Sequence, residues 1–157
     1  MIKKLTKQWL HKKQACGSGI KWFLKQDETE PIKVINKLMK ENNFAYANWL
    51  IVRLMNYKQY VSYAVFAAEQ VIDIYENKYT NDNRPRLAIE AAKKCIKSPT
   101  KKNKAAASVA YTASAAYTAG AAAASVASAS VAAGAAAGAK KSMQKRIMKH
   151  GIRLLGE

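Results

Sequence analysis

The chain has 157 residues, half of them apolar, which is the size of one ordinary domain with a real core. Its 27 Lys and Arg against 10 Asp and Glu leave a net charge of +17, far more than solubility requires. That surplus points to an anionic partner: nucleic acid, a nucleotide, an anionic surface or an acidic protein. The two cysteines, Cys16 and Cys95, lie far apart in sequence and exclude a CxxC redox or zinc motif. They read as buried small residues of a reduced, cytoplasmic chain. The opening MIKKLTKQWLHKK lacks the apolar core of a signal peptide.

Residues 3–14 predict a basic helix with Leu5, Trp9 and Leu10 on one side. Gly17-Ser18-Gly19 reads as a break and 20–25 as a short second helix. Asp27-Glu28-Thr29-Glu30-Pro31 is a helix start, with Thr29 or a neighbour as cap and Pro31 in the first turn. Ile32, Ile35, Leu38 and Met39 follow at helical spacing, and Glu41-Asn42-Asn43 ends that helix. Phe44, Ala47, Ile51, Leu54 and Met55 mark the next, widened by Trp49, Leu50 and Val52. One long helix is expected from about Tyr57 to Asn77. Tyr79–Asn83 is a loop and cap, Arg84-Pro85-Arg86 opens another helix, and Ser98-Pro99 stops it. No stretch alternates with period two, so no sheet is predicted.

Residues 105–139 are uncharged and almost entirely small. Alanine is the best helix former, and a straight helix here would run about 50 Å. Gly120 is its natural break. A kink there would fold Lys101, Lys102 and Lys104 back beside Lys140, Lys141, Lys145 and Arg146. Without Leu, Ile or Phe the tract is a poor membrane span. It reads as a close-packing spine, or as a self-association surface for a homo-oligomer. A basic amphipathic helix closes the chain, with Met143, Ile147, Ile152 and Leu155 as its apolar positions.

Charge is one-sided. Between Glu90 and Glu157 there is no acid but twelve basic residues. Lys97, Lys101, Lys102, Lys104, Lys140, Lys141, Lys145, Arg146, Lys149 and Arg153 are therefore the expected partner- or anion-binding set. Glu69, Asp73 and Glu76, at i, i+4 and i+7, form a carboxylate stripe that could hold a metal. Ion pairing to Arg84 and Arg86, with Glu90 nearby, is the reading the residues favour. No nucleophile–base pair has motif context, Gly17–Gly19 is no phosphate loop, and His11 and His150 lie among lysines. The sequence thus predicts no catalytic residue, no metal and no cofactor.

Ala67-Ala68-Glu69-Gln70-Val71, Trp49-Leu50 and above all the run Asp82-Asn83-Arg84-Pro85-Arg86-Leu87-Ala88-Ile89-Glu90-Ala91-Ala92, together with the alanine tract, carry a resemblance. The chain resembles a family of small all-helical bacterial and phage proteins, the immunity proteins of polymorphic toxin systems. The resemblance implies a non-enzymatic protein that binds and neutralises another molecule. The uncharged, lysine-flanked tract departs from the acidic or aromatic substitutions expected in relatives.

The sequence-level expectation is a single all-α domain over 1–157, a compact array of six to eight helices around the long alanine-rich one. Its parts are an N-terminal segment (1–26), an aromatic-rich core (27–98), the alanine-rich helix or hairpin (99–139) and the basic C-terminal helix (140–157). The expected activity is occlusion of an acidic protein or a protein–nucleic-acid complex, a toxin or a bacterial defence component. The alternative is a phage anti-defence protein that binds nucleic acid or a nucleotide signal.

Overall fold

The computed structural model describes residues 4–103 and 133–157, with side chains over 4–103 and 138–157. Among the described residues every regular element is helical, as expected. The elements are α1 (Lys7–Lys12), α2 (Gly17–Leu24), α3 (Pro31–Lys40), α4 (Phe44–Leu54), α5 (Tyr57–Glu69), α6 (Ile72–Lys78), α7 (Arg84–Lys97) and α8 (Ala133–Gly156). Most of the alanine tract, with Lys104 and the expected kink at Gly120, lies outside the described residues. The chain divides into two units: Met1–Asn56 with Gln144–Glu157, and Tyr57–Met143. The boundary falls inside the aromatic-rich stretch 27–98.

In the first unit, caps set the helix lengths. Thr6 Oγ1 accepts the Trp9 N–H at 3.1 Å, so α1 starts at Lys7 rather than near residue 3. Just before it, the Leu5 N–H donates to the Thr29 carbonyl at 2.7 Å. α1 and α3 end alike. Gln14 (φ 60°) and Asn42 (φ 59°) adopt the left-handed conformation. Ala15 N–H then reaches the Leu10 carbonyl at 2.9 Å, and Asn43 N–H reaches that of Leu38 at 2.8 Å. Gln14 and Asn42 donate one residue further along, to His11 and Met39. Both ends are thus Schellman turns, which satisfy carbonyls a helix end leaves orphaned.

Gly17-Ser18-Gly19, expected to be a break, forms the first turn of α2 instead. Cys16 is extended at the N-cap, and a side chain at Gly19 would meet its Sγ at 3.3 Å. Glycine therefore suits a close approach here. Glu30 caps α3 through its own carboxylate, which accepts the Ile32 N–H at 3.2 Å. Glu28 accepts the N–H groups of Thr29 and Glu30 at 2.9 and 2.8 Å. Those bonds, the Glu30 one foremost, with Lys33 nearby, hold its carboxyl below its ordinary value. α3 packs on α4, and Ile35 and Ile51 are completely buried. In α8 the buried positions are Met148, Gly151, Leu154 and Leu155. Of the expected apolar set, Leu155 is among them, whereas Met143, Ile147 and Ile152 are only half-buried.

The second unit is built on α5 against α7, around Val61, Val65, Ile72 and Ile89. The single helix expected over 57–77 is two. At the break the Gln70 side-chain amide donates to the Phe66 carbonyl at 3.1 Å. That carbonyl is the acceptor the Gln70 backbone N–H would use in an α-helix, and the N–H turns to Ala67 instead, at 3.3 Å. Val71 follows in the same tight manner, donating to Ala68 at 3.1 Å. Cys95 is buried as expected and its Sγ lies 3.3 Å from the Tyr57 hydroxyl, whereas Cys16 is exposed. Cys16 is the N-cap residue of α2, ahead of its first turn.

Two predictions follow from these packing features. Gln14→Gly should raise stability by about 0.5–1 kcal/mol, because glycine adopts the left-handed turn without the Cβ clash; thermal unfolding measures it. Burial pushes the Tyr63 phenol up to about 12, above the value near 10 of an unfolded chain. The folded state therefore keeps this proton longer than the unfolded one. Its contribution to stability is complete below pH about 10 and is lost as pH rises from there through about 12. Ultraviolet titration should show a phenol ionising near pH 12, and Tyr63→Phe should remove that component.

Candidate protein-binding surface

The carboxylate stripe forms an ion-pair clasp between helices. The break after α5 puts Glu69 on one helix and Asp73 and Glu76 on the next, and α7 supplies the cations for both. Arg86 forks onto Glu76, with Nε 2.7 Å from Oε1 and an Nη on Oε2. It also lies 3.6 Å from Asp73. Lys93 reaches Glu69 at 2.8 Å and Glu90 at 3.1 Å. The Arg86 fork lowers the Glu76 carboxyl and is itself raised by it; Glu69 and Glu90 raise the Lys93 ammonium. Among the described residues no group of His, Cys, Asp and Glu could hold a metal.

Arg84 does not join this clasp through its guanidinium. It forks onto Asp82, Nε to Oδ1 at 2.8 Å and Nη2 to Oδ2 at 2.7 Å. Asp82 also accepts the Arg84 N–H at 3.1 Å and the Tyr75 hydroxyl at 2.7 Å. Arg84 first, then Tyr75, holds the Asp82 carboxyl well below the usual carboxylate range. The Asp-Asn-Arg-Pro-Arg run is therefore a folding device: Asp82 caps the entry of α7, Pro85 occupies its first turn, and Arg86 reaches back to α6. The sequence marked Arg86 and the cap, but nothing in it pairs Tyr75 with Asp82.

The expected binding cations are arranged differently. Lys97, Lys101 and Lys102 are exposed at the end of α7 and the helical turn at 101–103, whose start Thr100 caps by accepting the Asn103 N–H at 3.1 Å. Lys140, Lys141, Lys145, Arg146, Lys149 and Arg153 are all exposed on α8. At 100° per residue, Lys141, Lys145, Arg146, Lys149 and Arg153 fall on an arc of about 140°, over a rise of about 18 Å. Lys140 falls on the other side of the helix. None of these nine cations forms an ion pair with any described carboxylate. Arg153 instead lies against His150, Nη2 to Nδ1 at 2.6 Å. Burial, and then the Arg153 charge, holds that imidazole below its ordinary value.

The first unit also holds an apolar cavity of about 310 Å³, lined by residues of α1–α4 and the segments between them. Its wall includes Trp22 and Trp49. No local signal marks it, because its lining comes from separated stretches.

The carboxylate with the most partners in the second unit gives a test. Asp82→Asn should lower the unfolding temperature at neutral pH. A depressed carboxyl stabilises above the unfolded value near 3.9 and loses that contribution as pH falls toward the folded value. The gap between variant and parent should therefore shrink below pH about 4 in a thermal-unfolding series.

No helix among the described residues is long and apolar enough to cross a membrane. Neither a curated protein nor a solved structure matches the chain. Residues 51–148 match the family described as Imm-5 like putative immunity protein, a span that takes in α5–α7, the Asp-Asn-Arg-Pro-Arg run and most of the basic arc. With well over half of its length matched, and with the clasp and helix entry built from the run that carried the sequence resemblance, the chain belongs to that Imm-5 like family.

Proposed function

We propose that this protein neutralises a toxin-type partner by binding and occluding it, and that the basic arc of α8 is the surface that meets it. The observation that carries the reading is the arc itself: five exposed cations on one side of one helix, with no described carboxylate paired to them. Family membership supports a neutralising, binding role. Charges left without internal partners cost nothing to bring against an acidic surface except their hydration, and they steer encounter. The partner's contact surface is acidic. Neutralisation is by coverage, since the arc offers cations and no nucleophile or proton-transfer pair.

Lys145→Glu, Lys149→Glu and Arg153→Glu together should weaken partner capture by at least about tenfold, mostly by slowing association. Lys58→Glu, on α5, should not. Binding to the cognate toxin measured by surface plasmon resonance checks this, and equal binding by the reversed variant would sink it. The same charge could serve nucleic acid or a nucleotide, and the high net charge of +17 is what favours that second reading. Phosphate binding weakens steeply and linearly on a log–log salt plot. Retention of DNA, RNA or cyclic oligonucleotides at low salt, abolished by the triple reversal, would favour it over an acidic protein partner.

A further inference from the structure

We propose that the cavity of the first unit binds a medium-chain aliphatic carboxylate, with its tail inside and its head toward Lys13 and Arg53. The volume, about 310 Å³, is in the range of small-ligand sites. At about 30 Å³ per water-sized unit it holds a chain of about eight to ten carbons. Leu10, Phe23, Leu38 and Leu50 supply aliphatic and aromatic wall, together with Trp22 and Trp49. The polar atoms of Trp22, Tyr46 and Cys16 in the lining are already engaged, the Cys16 Sγ with the Ser18 hydroxyl at 3.4 Å. Trp22 Nε1 donates to Glu41 at 2.8 Å, and the Tyr46 hydroxyl donates to Ser18 at 2.8 Å. A polar ligand body would lose its water without gaining partners, so the tail must be apolar.

The head is set by the charges on the tryptophan wall. The Arg53 guanidinium sits over Trp49 at 5.6 Å from its centroid. Trp49 meets Trp9 edge-on at 6.4 Å, and Lys13 sits over Trp9 at 5.9 Å. Neither cation is in an ion pair with a described carboxylate. The acid that touches this wall, Glu41, is taken up by Trp22 and Asn43. Access is open, because Gln14, Cys16 and Ala45 line the cavity and are exposed. Every lining residue precedes residue 51, where the family match begins. The site therefore does not rest on the toxin-binding reading.

The test is titration of the full chain with decanoate below its micelle threshold, read by tryptophan fluorescence and thermal unfolding, with 1-decanol as the neutral comparison. Saturable one-to-one binding with a blue shift is expected, decanoate binding about three- to tenfold tighter than decanol, the gain of one or two exposed ion pairs. Lys13→Gln with Arg53→Gln should erase that difference and leave decanol binding in place. Ala45→Phe, at an exposed position, should block both ligands. Independently of any variant, decanoate should slow alkylation of exposed Cys16 severalfold, with buried Cys95 as the internal reference. Absence of saturable decanoate binding overturns the proposal. So does binding that neither Ala45→Phe nor Cys16 alkylation registers, and so does decanol binding as tightly as decanoate. Occupancy only by an apolar peptide of a protein partner would overturn it as well.

Discussion

Carboxylates are the scarce group in this molecule, and where they are placed governs everything else. Ten acids face 27 cations, and eight of those acids are engaged in the described structure: Glu28, Glu30 and Glu41 in the first unit, Glu69, Asp73, Glu76, Asp82 and Glu90 in the second. Each does local structural work. Glu28 and Glu30 satisfy N–H groups at the start of α3; Asp82 does so at the start of α7; Glu69 and Glu76 tie α7 to two helices at once. Exposed pairs of this kind add little stability singly. Their value here is positional, since a forked Arg86 fixes both a distance and a direction. What remains after these pairings is a set of cations that no internal acid can neutralise.

That remainder is concentrated where the chain has no acids to offer. α8 carries no carboxylate, and its buried side (Met148, Gly151, Leu155) leaves the arc from Lys141 to Arg153 turned outward. The same accounting applies to two cations of the first unit. Lys13 and Arg53 lie over tryptophan faces, where a cation without a carboxylate finds a modest attraction. Family-matched residues and cavity-lining residues occupy different parts of the chain. The proposed partner surface on α8 and the proposed ligand cavity share no residue, so mutation can separate the two proposals.

The starts of α3 and α7 were legible because they depend on short-range chemistry. Pro31 after Glu30, and Pro85 after Asp82-Asn83-Arg84, can be read without any tertiary information. The end of α3 was legible for the same reason, since Asn42 tolerates the left-handed turn. Gln14 in the same role was not, because nothing about glutamine favours positive φ. The break between α5 and α6 was hidden too. Gln70 and Val71 sit among residues that would continue a helix, and a side-chain amide competing for one carbonyl leaves no compositional trace.

The sequence alone determined the all-helical class, the starts of α3 and α7, the one-sided charge and the Arg86 link to the carboxylate stripe. All four follow from periodicity, capping chemistry and counting, which act over a few residues or over the whole composition. Tertiary structure alone decided which cation meets which acid, why Arg84 folds back onto Asp82, that Cys16 is exposed while Cys95 is buried, and that Trp22 and Trp49 wall a cavity. Each of these depends on distances between segments far apart in the chain. Local propensity carries no information about such distances until the helices have packed.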